Sequence, residues 1–490
     1  MAIAGGGHFT VLLTERAGLL VFGSNSHGNL GRPLRESHVE PTLLGGVGGA
    51  AGDAVRELPG GMQVALALAQ IEGALGAPRQ DPAENHLFDD EAVVMVATGQ
   101  HYTVCVTDSG AVFATGENGC GQLGLGDEIR RSSFTTLGPD VFNGAPAMML
   151  ACGASHTLVL TRAGFVWAFG AGANGENGSP GLQTLSAPAL VAGLAGIVMV
   201  AAGVAHSVAV GADGSLWTWG SSHSGALGHD DAGDGAMATP RVLSPPAFGG
   251  HAVLFVAAGY SYTTAVTASG GLWAWGAGAA GQLGLGDVAD RRVPTWLTST
   301  WGGSRVRMVS CGGSVPSLQC VAQTMAATED GAVWTWGSPR VGQLGHNDAL
   351  RRLTPTRIPQ AAFGGARIVL VYNTFGNASM AVTMHGLVYQ WGSVATGHRL
   401  GGPAVSLRPV LLGTSVSPGG RCGRGCALPR RDVLAFAQGT HARLGDGCVF
   451  REMVLELVRA IDEQAQAPRG AYAHMREGQL RLLAATVRVT

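Results

Sequence analysis

Histidine titrates nearest to neutral pH and serves as general acid, general base or metal ligand. Here His8, His101, His156 and His206 each occupy a glycine turn that opens an apolar run. One reaction has no use for the same base in four equivalent turns, and the position reads Tyr262, Gln323 and Ala378 further along. The four are therefore expected to lock turns by hydrogen bonds inside their own units.

A second set is acidic. Asp127, Glu128, Asp230, Asp231, Asp234, Asp287, Asp290 and Asp348 all follow Leu-Gly loops. Gathered on one face they would attract a basic partner; the alternative is ordinary turn chemistry, in which Asp belongs beside Gly.

The third set is sulfur. Eight cysteines are scattered, several inside apolar runs, as buried thiols of a reducing compartment would be. That points to the cytoplasm or nucleus. Cys422-Gly-Arg-Gly-Cys426 has the start of a zinc site, but no second Cys/His pair lies nearby, and no metal is expected.

Other chemistry is excluded by composition. All 31 basic residues are arginine, so the lysines of phosphate loops, kinases and Schiff bases are missing. There is no Gly-x-Ser-x-Gly elbow and no His-Glu-x-x-His. No catalytic residue, cofactor or enzyme activity is expected. A net charge of −2 gives no general reason to bind nucleic acid or membrane, and the N-terminus reads as neither signal peptide nor membrane span.

The elements that hold these residues repeat. The stretch from Ala202 to Gly228, AGVAHSVAVGADGSLWTWGSSHSGALG, contains a glycine turn, an alternating run, an Asp-Gly turn, a second run ending in Trp-Gly, and a glycine-framed loop. The glycine ending the second run recurs as Gly23, Gly116, Gly170, Gly220, Gly276, Gly337 and Gly392. These lie 93, 54, 50, 56, 61 and 55 residues apart, and another glycine follows each after five residues. A fixed period of this kind marks a repeat architecture in which no unit buries its apolar face alone.

Each copy holds three strand-like runs, and a Pro-containing segment supplies a fourth, which makes one propeller blade. The expected copies are 2–44, 91–143, 147–193, 196–244, 251–298, 305–359 and 366–412. An insertion, 45–90, separates the first two, with a candidate short helix over Met62 to Leu75. A Gly/Arg-rich linker, 413–433, precedes a closing strand and a C-terminal segment, 434–490. Within that segment Val449, Phe450, Met453, Val454, Leu457, Val458 and Ile461 have amphipathic helical spacing. That helix either caps the propeller or meets a partner.

The recurrent Gly-x-x-His, Trp-Gly and Gly-Gln-Leu-Gly elements resemble the repeats of the regulator of chromosome condensation family over about four-fifths of the chain. The resemblance implies an all-β, seven-bladed β-propeller. Trp219, Trp275, Trp336 and Trp391 would then fill the space between blades. For function it implies a docking platform, or guanine-nucleotide exchange on a small GTPase. The basic N-terminal extension of the founding member is missing, so chromatin binding is not expected. The expectation is a monomeric, non-catalytic scaffold for a protein partner, with nucleotide exchange as the alternative.

Overall fold

The computed structural model describes residues 2–6, 9–13, 19–32, 38–44, 88, 91–138, 140–230, 235–298, 301–314, 321–340, 342–373, 378–384, 387–393 and 405–411. The candidate helices and closing strand, Cys422, Cys426 and most of the insertion lie outside these residues. So do His8, Asp231 and Asp234.

The chain is an all-β propeller of four-stranded blades. In the first sheet are β1 (Ala2–Gly5), β2 (Phe9–Leu13), β3 (Leu19–Ser24) and β4 (His38–Leu44). The second has β5 (Val93–Thr98), β6 (Tyr102–Thr107), β7 (Val112–Gly116) and β8 (Arg131–Leu137). The third has β9 (Ala147–Cys152), β10 (His156–Thr161), β11 (Val166–Gly170) and β12 (Leu185–Leu190). Next come β13 (Ile197–Ala202), β14 (His206–Gly211), β15 (Leu216–Ser221) and β16 (Ala236–Leu243). The fifth has β17 (Val253–Ala258), β18 (Tyr262–Thr267), β19 (Leu272–Gly276) and β20 (Arg291–Trp296). The sixth has β21 (Val306–Ser314), β22 (Val321–Thr328), β23 (Val333–Gly337) and β24 (Arg352–Arg357). Last are β25 (Ile368–Asn373), β26 (Ala378–Thr383), β27 (Val388–Ser393) and β28 (Val405–Leu411). Each set of four is one antiparallel sheet in chain order, giving seven sheets among the described residues.

Packing orders the strands within a blade. The first strands touch in succession, β1 to β5, β5 to β9 and onward to β25, so they are innermost. Second strands such as Tyr102–Thr107 and His206–Gly211 are buried at every residue, because both faces meet neighbouring blades. They read as continuous apolar and β-branched runs, as strands covered on both faces do. The outermost strands are less buried: in Arg131–Leu137 Phe134 and Leu137 are covered while Ser133 and Thr136 are exposed.

The glycine that ends each third strand is a backbone requirement. At Gly276 φ is +99°, and an added Cβ would lie 2.5 Å from the Ser261 carbonyl oxygen. The register shifts here between β19 and β20, and only glycine fits the bulge without strain.

One packing device escaped the sequence reading. Before the inner strand of several blades an aromatic ring plugs the base of the blade: Phe88, Phe142, Phe248, Trp301 and Phe363, all buried. Each meets a third-strand ring edge-on, Phe248 against Trp273 at 5.8 Å and Trp301 against Trp334 at 5.5 Å. Such edge-to-face pairs add stabilisation beyond the area they bury. Phe88 packs on Phe113 and Phe134, so the insertion returns to the fold against the second blade.

Candidate functional site: the blade seams and the loop end

In the first six blades the loop between third and fourth strands reaches forward onto the next blade. In the fourth blade Trp219 Nε1 donates 3.1 Å to the Glu176 carbonyl, which belongs to the loop of the third. The same carbonyl accepts from Ser207 Oγ at 2.7 Å. The pattern repeats with Trp275 and Thr263 on Ala226, Trp336 and Thr324 on Gln282, and Trp391 and Ser379 on Gln343. The tryptophans are fully buried. Their indoles thus fill the seam and hold the incoming loop.

The histidines join the same network, and two expectations are corrected. First, the bonds run between blades and not within one: His156 Nε2 meets Ser207 Oγ of the next blade at 2.9 Å, and His206 Nε2 meets Thr263 Oγ1 at 3.0 Å. Ser207 and Thr263 already spend their single protons on loop carbonyls, so each imidazole is the donor and carries its proton on Nε2. His156 Nδ1 has no partner among the described residues. Burial pushes His156 down to about 3, helped by His206, and pushes His206 itself down to about 4. A base held neutral and buried between blades is sealed from any substrate.

Second, the four histidines are not equivalent. His156 and His206 pair with the bulge glycines Gly170 and Gly220. In the second blade that place is held by Tyr102, opposite Gly116, and in the first by Phe9, opposite Gly23. Tyr102 reaches forward as the histidines do, donating 2.5 Å to the His156 carbonyl, and Tyr262 donates 2.6 Å to that of Gln323. His101 lies one residue earlier, at the blade end, where it stacks on His27 of the preceding loop at 4.3 Å. The sequence also left His229 and His346 unnoticed; their Nε2 atoms meet Thr218 and Thr335 at 3.1 and 2.9 Å.

The described loop acids lie in the loops between third and fourth strands of the second, fourth, fifth and sixth blades. Asp127 is paired with Arg131 at 2.6 Å, Asp287 with Arg291 at 2.6 Å and Asp348 with Arg352 at 2.7 Å. Each also accepts a backbone N–H two residues on, from Ile129, Ala289 and Leu350. These carboxylates staple their own loops. Hydrogen bonding to Arg352, foremost among several causes, holds Asp348 down at about 2. Asp290 accepts from the Gly278 N–H at 2.8 Å, and Glu128 and Asp230 are exposed.

Each staple presents one large apolar side chain to solvent. Ile129 is 66% exposed, Leu350 65% and Val288 47%. They are flanked by exposed Arg130 and Arg351. Such tips on rigid frames suit recognition without chemistry. Among the described residues no cluster of three or more His, Cys, Asp or Glu is placed to hold a metal. No helix among them is long and apolar enough to cross a membrane.

Comparison with known proteins agrees with this architecture. Residues 1–315 match the RCC1-like domain, and residues 330–372 match the regulator of chromosome condensation (RCC1) repeat. The Ultraviolet-B receptor UVR8 of Arabidopsis thaliana is 32% identical over 72% of this chain and 79% of its own length. The E3 ubiquitin-protein ligase HERC2 of Homo sapiens is 32% identical over 61% of the chain, but the match spans 6% of that protein. Among solved structures, human WBSCR16 superposes with a TM-score of 0.58 at 24% identity, covering 76% of this chain and 84% of that one. Prp20p of Saccharomyces cerevisiae, whose structure was described with its binding properties to Gsp1p and histones, gives 0.58 at 22%, covering 76% and 80%. With both the domain profile and a relative of similar extent matched, the chain belongs to the RCC1-like family of β-propeller proteins.

Proposed function

We propose that the chain is a non-catalytic scaffold, its ring closed by the seventh blade against the first, that binds a protein partner through the stapled loop end. The observation that carries this reading is the division of labour between seam and tip. His156, His206 and the seam tryptophans are consumed by assembly, whereas Ile129, Val288 and Leu350 stand in solvent on loops fixed by arginine–aspartate pairs. Ordering a loop in advance lowers the entropic cost of binding. The buried free thiols Cys105 and Cys152 support residence in the reducing cytoplasm or nucleus.

The test is capture of partners by the full chain beside a variant carrying Ile129→Asp, Val288→Asp and Leu350→Asp. Retention of every partner by a folded triple variant would sink the assignment to this end. Exchange of guanine nucleotide on a small GTPase is the alternative, and the family likeness supports either use. It requires accelerated nucleotide release from at least one member of a small-GTPase panel.

A further inference from the structure

The outer strand of every blade is a potential edge for pairing with another chain, and six of the seven carry a proline at one equivalent place. These are Pro41, Pro188, Pro240, Pro294, Pro355 and Pro409. Equivalence follows from register: each proline precedes the residue that pairs with the second position before the bulge glycine, as in Ala168↔Ala189, Ala274↔Thr295 and Thr335↔Thr356. The phase of the ladder is fixed by Val191 N–H to Val166, Leu297 N–H to Leu272 and Ile358 N–H to Val333. Residues alternate in an antiparallel ladder, so the proline sites face away from the sheet. There proline removes an N–H that another chain would seek, which blunts the edge.

The second blade lacks this guard. Its outer strand, β8, has Phe134 at the proline position, by the pairing Ala114↔Thr135. The N–H groups of Phe134 and Thr136 point outward, and no described residue accepts from either. On other outer strands the Ser186 and Leu353 carbonyls accept from the loop N–H groups of Gly126 and Gly286. The loop residue that would serve Ser132 in β8 is Pro33 by sequence, which has no N–H to give. From Ser132 to Leu137 the strand carries no charge, and Arg131 at its start is tied to Asp127.

We propose that β8 is an open pairing edge and that its occupant is the β8 of a second copy of this chain, antiparallel about Thr135. The strand is complementary to itself in that arrangement. Phe134 faces Thr136 of the second copy and Thr136 faces Phe134, so each outward N–H finds an outward carbonyl. Two β-branched threonines meet on the axis, a favourable cross-strand pair. No like charges come together. The sheet becomes eight strands wide, and the other six edges stay closed. This goes beyond the scaffold reading, leaves the loop end free, and replaces the expected monomer.

The test is mass in solution by light scattering at about 100 µM, a concentration at which a pair with Kd of about 10 µM is mostly formed. The wild-type chain should run at twice 49.9 kDa. Thr136→Pro should return it to 49.9 kDa with an unchanged circular dichroism spectrum. Val242→Pro, the matching change on the guarded β16, should leave the pair intact. A second measurement spares the fold: a synthetic peptide of residues 132–138 should dissociate the wild-type pair, and the same peptide N-methylated at its Phe134 and Thr136 should not. A monomeric wild type, a folded Thr136→Pro that still pairs, or equal action of both peptides would overturn the proposal.

Discussion

Trp336 Nε1 donates 2.8 Å to the carbonyl of Gln282, an atom of the preceding blade that also accepts from Thr324 at 2.7 Å. One carbonyl thus receives two donors from two strands of its neighbour. Trp336→Phe keeps most of the packing and loses one bond, at a cost of about 1–2 kcal/mol. Trp336→Ala empties the seam and costs about 3–5 kcal/mol. Urea unfolding midpoints check both; equal effects would show that the packing contributes nothing separable from the hydrogen bond.

Acid should weaken the fold through its buried imidazoles. The reference value is 6.5, while His156 stays neutral in the native state to about 3 and His206 to about 4. Between these limits the unfolded chain binds more protons, so stability falls as pH falls below about 6.5. Each histidine contributes a slope of up to about 1.4 kcal/mol per pH unit. His206→Gln, which copies the residue found at Gln323, should make the decline between pH 6.5 and 4 shallower. An unaltered slope in that variant would place the acid sensitivity elsewhere.

The bulge glycines should tolerate no side chain. Gly276→Ala sets a Cβ 2.5 Å from the Ser261 carbonyl at φ +99°, and the expected loss is about 2–3 kcal/mol. Gly303→Ala is the control, because its φ is +85° but open space surrounds it. Its cost should be about 1 kcal/mol, that of the dihedral alone. Thermal unfolding of the two proteins gives the comparison.

Asp348→Asn tests the staple. The loop should be cut faster near Leu350 by a protease, while global stability changes by less than about 1 kcal/mol, as for other exposed ion pairs. Asp348 is held at about 2, so its pairing is intact above the usual 3.8 and is lost as pH falls through about 2. Loop cleavage should therefore be insensitive to pH between 5 and 8.

The seam thiols should be inert. Burial raises Cys152 to about 12 and Cys105 further still, which leaves almost no thiolate at pH 8. Peptide mapping after iodoacetamide treatment should find both unmodified in the native protein and modified in urea. Native labelling of either would contradict the packing of β6 or β9.

The repeat unit was legible because its signals are local. Bulge glycines, Trp-Gly endings and alternating runs each report backbone needs that a few residues satisfy. The tryptophans between blades were foreseen, but the hydrogen bonds that cross there were not, since no spacing within one unit says that His156 reaches Ser207 of the next. The misplacement of His101 had a visible cause: Gly153 and Gly203 stand three residues before their histidines, whereas Gly99 stands two before His101 and three before Tyr102. The staples were also written in the sequence, as Asp127 to Arg131, Asp287 to Arg291 and Asp348 to Arg352, each four apart. The plugs at Phe248 and Phe363 fell between the expected copies, and Phe142 at the end of one, where an isolated aromatic carries no periodic signal.

The forward reach of each loop gives the molecule a direction in time as well as in space. During synthesis the Glu176 carbonyl emerges before Ser207 and Trp219, and Gln343 before Ser379 and Trp391, so each of these units waits for its successor to be completed. A ribosome stalled partway leaves its newest unit with unmet acceptors and an uncovered flank, a natural handle for chaperones.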